Sequence, residues 1–130
     1  VQCLTRNPLK TKKKFSVSTF LLEALKTKKL NIIPLESYET ISLHQKQVII
    51  INTLPLGQTS MYKEENTFCK KLLKQWSQPT TYFFDLIYED TDSLATAREL
   101  GMKSINGELM LLSQAAKSFE LWTGINPLNQ

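Results

Sequence analysis

A chain of 130 residues can bury one real core but not two comfortable ones, so a single compact unit is the default expectation. Its 42% apolar and 22% charged residues are ordinary globular values and exclude an intrinsically disordered class. No apolar run approaches the roughly 18 residues of a membrane span, and no signal-peptide pattern opens the chain, so a cytoplasmic location without a membrane partner is expected.

Val1 to Thr5 is short and β-compatible, and Arg6-Asn7-Pro8 breaks it and opens a helix with proline in its first turn. From Leu9 to about Lys29, Val17, Phe20, Leu21, Ala24 and Leu25 recur at the spacing of one helical face, which predicts a single amphipathic helix. Leu30 to Ile33 is a short strand ended by Pro34, followed by a polar, irregular stretch to Lys46 with one helical turn. The β-branched run Val48-Ile49-Ile50-Ile51 predicts a parallel strand covered on both faces. Asn52 to Gly57 is a loop punctuated by Pro55 and Gly57, and Thr67 to Trp76 a helix with Phe68, Leu72 and Leu73 inside.

Tyr82 to Tyr88 is an aromatic strand, and Ser93 is the expected cap of a helix that Gly101 ends. Met102 to Ile105 is a last short strand. The final helix runs from about Glu108 to Trp122, with Leu109, Leu112, Ala116 and Phe119 on its apolar face and Gly124 as its stop. Strands alternating with helices of this length predict an α/β fold, a doubly wound, Rossmann-like parallel sheet.

The net charge of +4 is modest but uneven, with Lys10, Lys12, Lys13, Lys14, Lys26, Lys28 and Lys29 crowding the first third. A solvated helix face accounts for most of that run. The run lacks the aromatic interleaving that a stacking platform requires, so a nucleic-acid partner is not expected. Cys3 and Cys69 lack CxxC spacing, and His44 is the single histidine, so both read as free thiols and no metal site is expected.

Composition and periodicity name a fold class and no chemistry. The string Asp85-Leu86-Ile87-Tyr88, Ala97, Gly101, Gly107-Glu108-Leu109-Met110-Leu111, Gln114-Ala115-Ala116, Phe119 and Leu121-Trp122-Thr123-Gly124 resembles the C-terminal half of shikimate dehydrogenases. Ile51-Asn52-Thr53-Leu54-Pro55-Leu56-Gly57 resembles that family's asparagine-threonine loop, and Thr5-Arg6-Asn7-Pro8-Leu9-Lys10 its Asn-Arg-Thr-x-x-Arg/Lys segment. Thr5 and Asn7 depart from the last pattern. The segments cover nearly the whole chain, except that residues between Lys14 and Gln47 have no one-to-one match.

The resemblance implies the C-terminal, NADP-binding part of an oxidoreductase that reversibly reduces 3-dehydroshikimate to shikimate in aromatic amino-acid synthesis. The physical reading runs beside it. A 2′-phosphate calls for a guanidinium, a second cation one turn on and a short polar side chain, and Arg6, Lys10 and Asn7 are that set at a strand tip. The resemblance makes Asn52 and Thr53 cleft walls, places Leu86 and Ile87 near the nicotinamide, and makes Tyr88 and Gln114 substrate ligands. Gly107, lacking a Cβ, would let backbone approach the flat cofactor ring, and Met110 would pack on it. Asp85 is expected to orient loop backbone rather than transfer protons.

Two family features do not occur in these residues: a Gly-rich pyrophosphate turn and the catalytic Lys/Asp pair, both of which would lie upstream of Val1 with the central first strand. No catalytic residue is therefore expected in this chain, and the chain alone is expected to be inactive. Loss of a central strand would expose sheet edges that self-pair or accept a companion chain. The alternatives are a quinate/shikimate dehydrogenase using NAD(P), which Arg6 and Lys10 disfavour for NAD, and a non-catalytic nucleotide-binding or assembly module.

Overall fold

A computed structural model describes residues 1–41, 47–54 and 63–128 of the chain. These cluster in two compact units, Val1–Ser42 and Leu43–Gln130, where a single unit was expected. The sheets explain the division. One contains β1 (Gln2–Thr5) and β2 (Asn31–Pro34), and the other has the order β3 (Val48–Asn52), β4 (Thr81–Asp85), β5 (Lys103–Ile105). All pairings are parallel. Parallel strands joined by helices are the pattern of a doubly wound α/β fold.

In the first unit, Asn7 caps α1 (Pro8–Phe15) by accepting the Lys10 amide at 2.9 Å, and Pro8 occupies the first turn, where its missing N–H costs nothing. The single helix expected from Leu9 to Lys29 is two. The chain leaves α1 at Ser16, whose hydroxyl donates back to the Lys13 carbonyl, and Ser18 starts α2 (Thr19–Lys26) as a fresh N-cap. Serine competes with helical backbone bonding through such local contacts. The break changes the buried face: Val17 and Phe20 are exposed, while Leu21, Leu22, Ala24 and Leu25 are half-buried. Lys28, at φ +56°, takes the left-handed turn out of α2, and the chain re-enters as buried Leu30 and then β2. Pro34 is the last residue of β2 rather than its stop, and a 3-10 turn, Leu35–Thr40, follows and buries Tyr38. Residues 42–46, with His44 and the end of the irregular stretch, lie outside the described residues.

In the second unit, α3 (Lys63–Trp76) and α4 (Asp92–Glu99) pack together, and α4 lies on β4 and β5. Leu73, Phe83, Leu94 and Ala97 are the centre of that core, joined by Cys69, Leu72, Trp76 and Met102. The opposite face of the sheet is open. Ile49 and Ile51 are 66% and 57% exposed, and Ile105, paired through Phe84, shares their side. The continuous isoleucine run suits a strand covered twice, but among the described residues of this unit helices cover one face.

The last helix, α5 (Glu108–Thr123), ends at Gly124 with φ +73° as expected. Its apolar stripe is uncovered: Leu109, Leu112 and Phe119 are exposed and Ala116 alone is buried. Periodicity shows which side of a helix wants a partner, not whether one is at hand.

The Ser93 hydroxyl donates to Cys69 Sγ at 3.2 Å inside the core. Burial, and secondarily the nearby Asp85 charge, push the Cys69 thiol up against the opposing pull of Ser93, and burial also raises Cys3. The folded state thus holds the Cys69 proton more tightly than the unfolded chain does. The resulting stability is complete below the ordinary thiol value of about 8.5 and is lost as pH rises through the folded value. Melting temperature is expected to fall between pH 8 and 10 in thermal scans, and a Cys69→Ala variant should flatten that slope. Iodoacetamide should label half-buried Cys3 before Cys69.

Candidate functional site

The C-terminal ends of β3 and β4 are locked by one buried carboxylate. Asp85, fully buried, accepts from the Thr91 hydroxyl at 2.7 Å, from Asn52 Nδ2 at 3.2 Å and from the Ile87 amide at 3.2 Å. Thr91 in turn accepts the Leu94 amide and is the N-cap of α4, the role that sequence reading gave to Ser93. Ser93 lies two residues beyond the cap and turns inward to Cys69 instead. The Thr91-x-x-Leu94 spacing was the available signal.

This network holds the loop 86–91. The Leu86 amide donates to the Asn52 carbonyl at 3.0 Å, the Ile87 carbonyl accepts from the Gly107 amide at 2.9 Å, and the Tyr88 carbonyl accepts from Asn106 Nδ2 at 2.9 Å. Each backbone group so used is bonded to a neighbouring segment of this unit. Asp90 closes the loop through a paired contact with Arg98 at 3.1 and 3.2 Å, which at more than half exposure adds little stability. β4 ends at Asp85, so Tyr88 stands three residues beyond the strand rather than at its tip, and the residue is 54% exposed.

Gly107 is buried at the head of α5. A Cβ there would meet the Leu86 carbonyl, with that group's carbon at 2.7 Å and the Ile87 carbonyl carbon at 3.3 Å. The loop backbone pressed against it is by itself enough to require glycine at this position. Met110 is half-buried and Gln114 exposed, four residues apart on one face of α5.

Asn52 is buried and its amide is fully engaged: Nδ2 reaches Asp85 and the Leu54 carbonyl, and Oδ1 takes the Leu54 amide. It supports the site from behind, and exposed Thr53 is the residue of that pair that faces outward. Pro55, Leu56 and Gly57 lie outside the described residues. Asn106 and Thr91 were not singled out from sequence; an Asn-Gly pair opening a helix was the signal for the first.

In the first unit, Arg6, Asn7 and Lys10 are exposed where β1 gives way to α1. Asn7 fixes the backbone of Lys10 and is itself steadied by a bond from its amide to the Thr5 hydroxyl. A guanidinium, an ammonium and a helix start within five residues form a donor set suited to a phosphate. Among the described residues no group of histidine, cysteine, aspartate or glutamate is arranged to hold a metal, and no helix is long and apolar enough to cross a membrane.

The family described as "Shikimate 5'-dehydrogenase C-terminal domain" matches residues 107–128, the helix α5 and its turn. "Shikimate dehydrogenase (NADP(+))" of Chlorobium phaeobacteroides is 36% identical over 89 residues, which is 66% of this chain and 30% of that protein. The protein of the same name from Methanocella arvoryzae is 42% identical over 81 residues, 61% of this chain and 28% of its own length. Over most of its length the chain is similar to shikimate dehydrogenases. The crystal structure of a chorismate mutase/shikimate 5-dehydrogenase fusion protein from Clostridium acetobutylicum matches 95% of this chain and 37% of that one, with 29% identity and a TM-score of 0.61. Shikimate dehydrogenase from Aquifex aeolicus matches 97% and 40%, with 23% identity and a TM-score of 0.67, which bears on the fold alone. The chain thus spans about 30% of the length of the curated shikimate dehydrogenases it matches, and has their partial Rossmann-like sheet.

Proposed function

We propose that this chain is the C-terminal part of the NADP-binding domain of a shikimate dehydrogenase, and that it supplies the phosphate contacts, the nicotinamide wall and the substrate-orienting groups for reversible reduction of 3-dehydroshikimate to shikimate. The pinned loop 86–88 facing the head of α5 carries this reading. It is a rigid, preorganised backbone at the C-terminal edge of a parallel sheet, the place where doubly wound folds bind ligands.

NADPH would supply the hydride. Arg6 and Lys10 would neutralise its 2′-phosphate, with Asn7 donating through its free amide arm. Leu86, Ile87 and Met110 would present apolar surface to the nicotinamide and keep water away, while Gly107 sets the height of α5 against the loop. Asn52 would back this wall and Thr53 face the cleft. The Tyr88 hydroxyl would donate to the substrate carboxylate, and the Gln114 amide can donate to and accept from a substrate hydroxyl together. No group among these is placed to move the hydroxyl proton. Acid-base chemistry belongs to the Lys/Asp pair of the parent enzyme, so the chain alone should bind without turnover.

Isothermal titration with NADP⁺ and NAD⁺ tests the phosphate assignment. The chain should prefer NADP⁺, and Arg6→Ala with Lys10→Ala should lower NADP⁺ affinity by about tenfold to a hundredfold while leaving NAD⁺ binding unchanged. Equal affinity for both nucleotides would contradict it.

β3, an edge strand among the described residues with its own Ile49 and Ile51 exposed, suits association with a companion chain or a second copy. Light scattering should report species larger than a monomer. A stable, soluble monomer with cooperative unfolding would remove this part of the proposal.

A further inference from the structure

Asn106 is half-buried between two elements that the functional reading uses and does not itself connect. Its Nδ2 donates to the Tyr88 carbonyl at 2.9 Å, and its Oδ1 accepts the Glu108 amide at 3.3 Å, closing an Asx-type turn at the entrance to α5. One planar amide therefore ties the Tyr88 backbone to the first turn of the helix that carries Met110 and Gln114. The neighbouring bond from the Gly107 amide to the Ile87 carbonyl fixes how close the two elements come, but a single contact leaves rotation about it free. The second bond, one residue along each segment, removes that freedom.

We propose that Asn106 is a positioning residue for substrate: it sets Tyr88 and Gln114 in register so that both reach one bound molecule. The inference rests on the reading of those two side chains as substrate ligands. A polar molecule held by one group on a loop and another on a helix loses affinity when the two rock against each other, because each contact then carries its own ordering cost. Asparagine meets this need with a donor and an acceptor on one rigid plane. Aspartate keeps the acceptor for Glu108 but turns an oxygen toward the Tyr88 carbonyl, and serine keeps an acceptor without the reach.

The test uses the ¹⁵N-labelled full chain, as wild type, Asn106→Asp and Asn106→Ser, titrated with shikimate in the presence of NADP⁺ and followed by amide shifts and hydrogen exchange. In Asn106→Asp the Glu108 amide should stay protected, because its acceptor remains, while the Tyr88 and Glu89 amide signals move. Shikimate affinity should fall about fivefold to tenfold, the expected cost of one lost tether, and NADP⁺ affinity, which the Arg6 and Lys10 charges dominate, should fall less. Asn106→Ser should show the same split, so the conclusion does not depend on one variant folding. Wild type and both variants binding shikimate equally would overturn the inference while leaving the functional reading in place, as would Tyr88 signals that do not move. A wild-type chain that binds no shikimate would overturn both.

Discussion

Replacing Gly107 with alanine is expected to lower the melting temperature of the Leu43–Gln130 unit by on the order of 10 °C or more. The added methyl would occupy space held by the Leu86 carbonyl. That neighbour is backbone, so it cannot move aside as a flexible side chain would, and it is tethered on both sides: the Leu86 amide to Asn52, the Ile87 amide to Asp85 and the Ile87 carbonyl to Gly107 itself. Overpacking in cores costs about 1–3 kcal/mol and occasionally more, and at 4–8 °C per kcal/mol for a domain of this size the upper end is expected here. Gly101 and Gly124 provide the controls. Nothing lies within 4 Å of a Cβ at either, so alanine there meets only the strain of positive φ and should cost about 1 kcal/mol. Thermal denaturation of the three variants separates the cases, and a Gly107→Ala melt no lower than that of Gly124→Ala would contradict the close approach.

Asp85→Ala should destabilise the same unit by about 3 kcal/mol, because it leaves two buried donors and one half-buried amide without this acceptor. Thr91 would lose the partner that orients its hydroxyl for capping α4, Asn52 would keep one of its two donor bonds, and the Ile87 amide would be stranded. Against a typical total stability of about 5–15 kcal/mol, such a loss is a large fraction. Asp85→Asn keeps the volume but presents an amide NH₂ to either Thr91 or Asn52, both of which donate there, so it should recover only part of the loss. Urea titration gives the ordering wild type, Asn, Ala. Hydrogen exchange at Ile87 should rise in both variants, in step with the loosening of the loop.

The fold and the site were legible in the sequence to different depths, for physical reasons. Element identities followed from punctuation and period: Pro8 with Asn7 started a helix, Gly124 stopped one, and Ile49 to Ile51 and Tyr82 to Asp85 formed strands. Burial did not follow. The Val17 and Phe20 positions keep helical spacing across a break that two serines impose, and the stripe on α5 stands open although its period is sound. Periodicity describes one element, whereas burial depends on what lies opposite it.

The network behind the site was the least legible part. Asp85 was expected to orient loop backbone, and it does so at Ile87. Its other two partners come from positions 6 residues onward and 33 residues back, and no local pattern joins Asn52 to Asp85. Gly107 stands out in the sequence for its missing Cβ, and the Leu86 carbonyl that also needs this space is brought there only by the folded arrangement.

The central claim is that the loop 86–88 and the head of α5 form the nicotinamide and substrate wall of a shikimate dehydrogenase. The most direct test is an amide chemical-shift map of the ¹⁵N-labelled chain with NADP⁺ and shikimate added in turn. NADP⁺ should shift Arg6, Asn7, Lys10 and Gly107, and shikimate added afterwards should shift Tyr88 and the Gln114 side-chain amide. Shifts confined to the exposed lysines of α1, or shikimate shifts that avoid Tyr88 and Gln114, would contradict the claim.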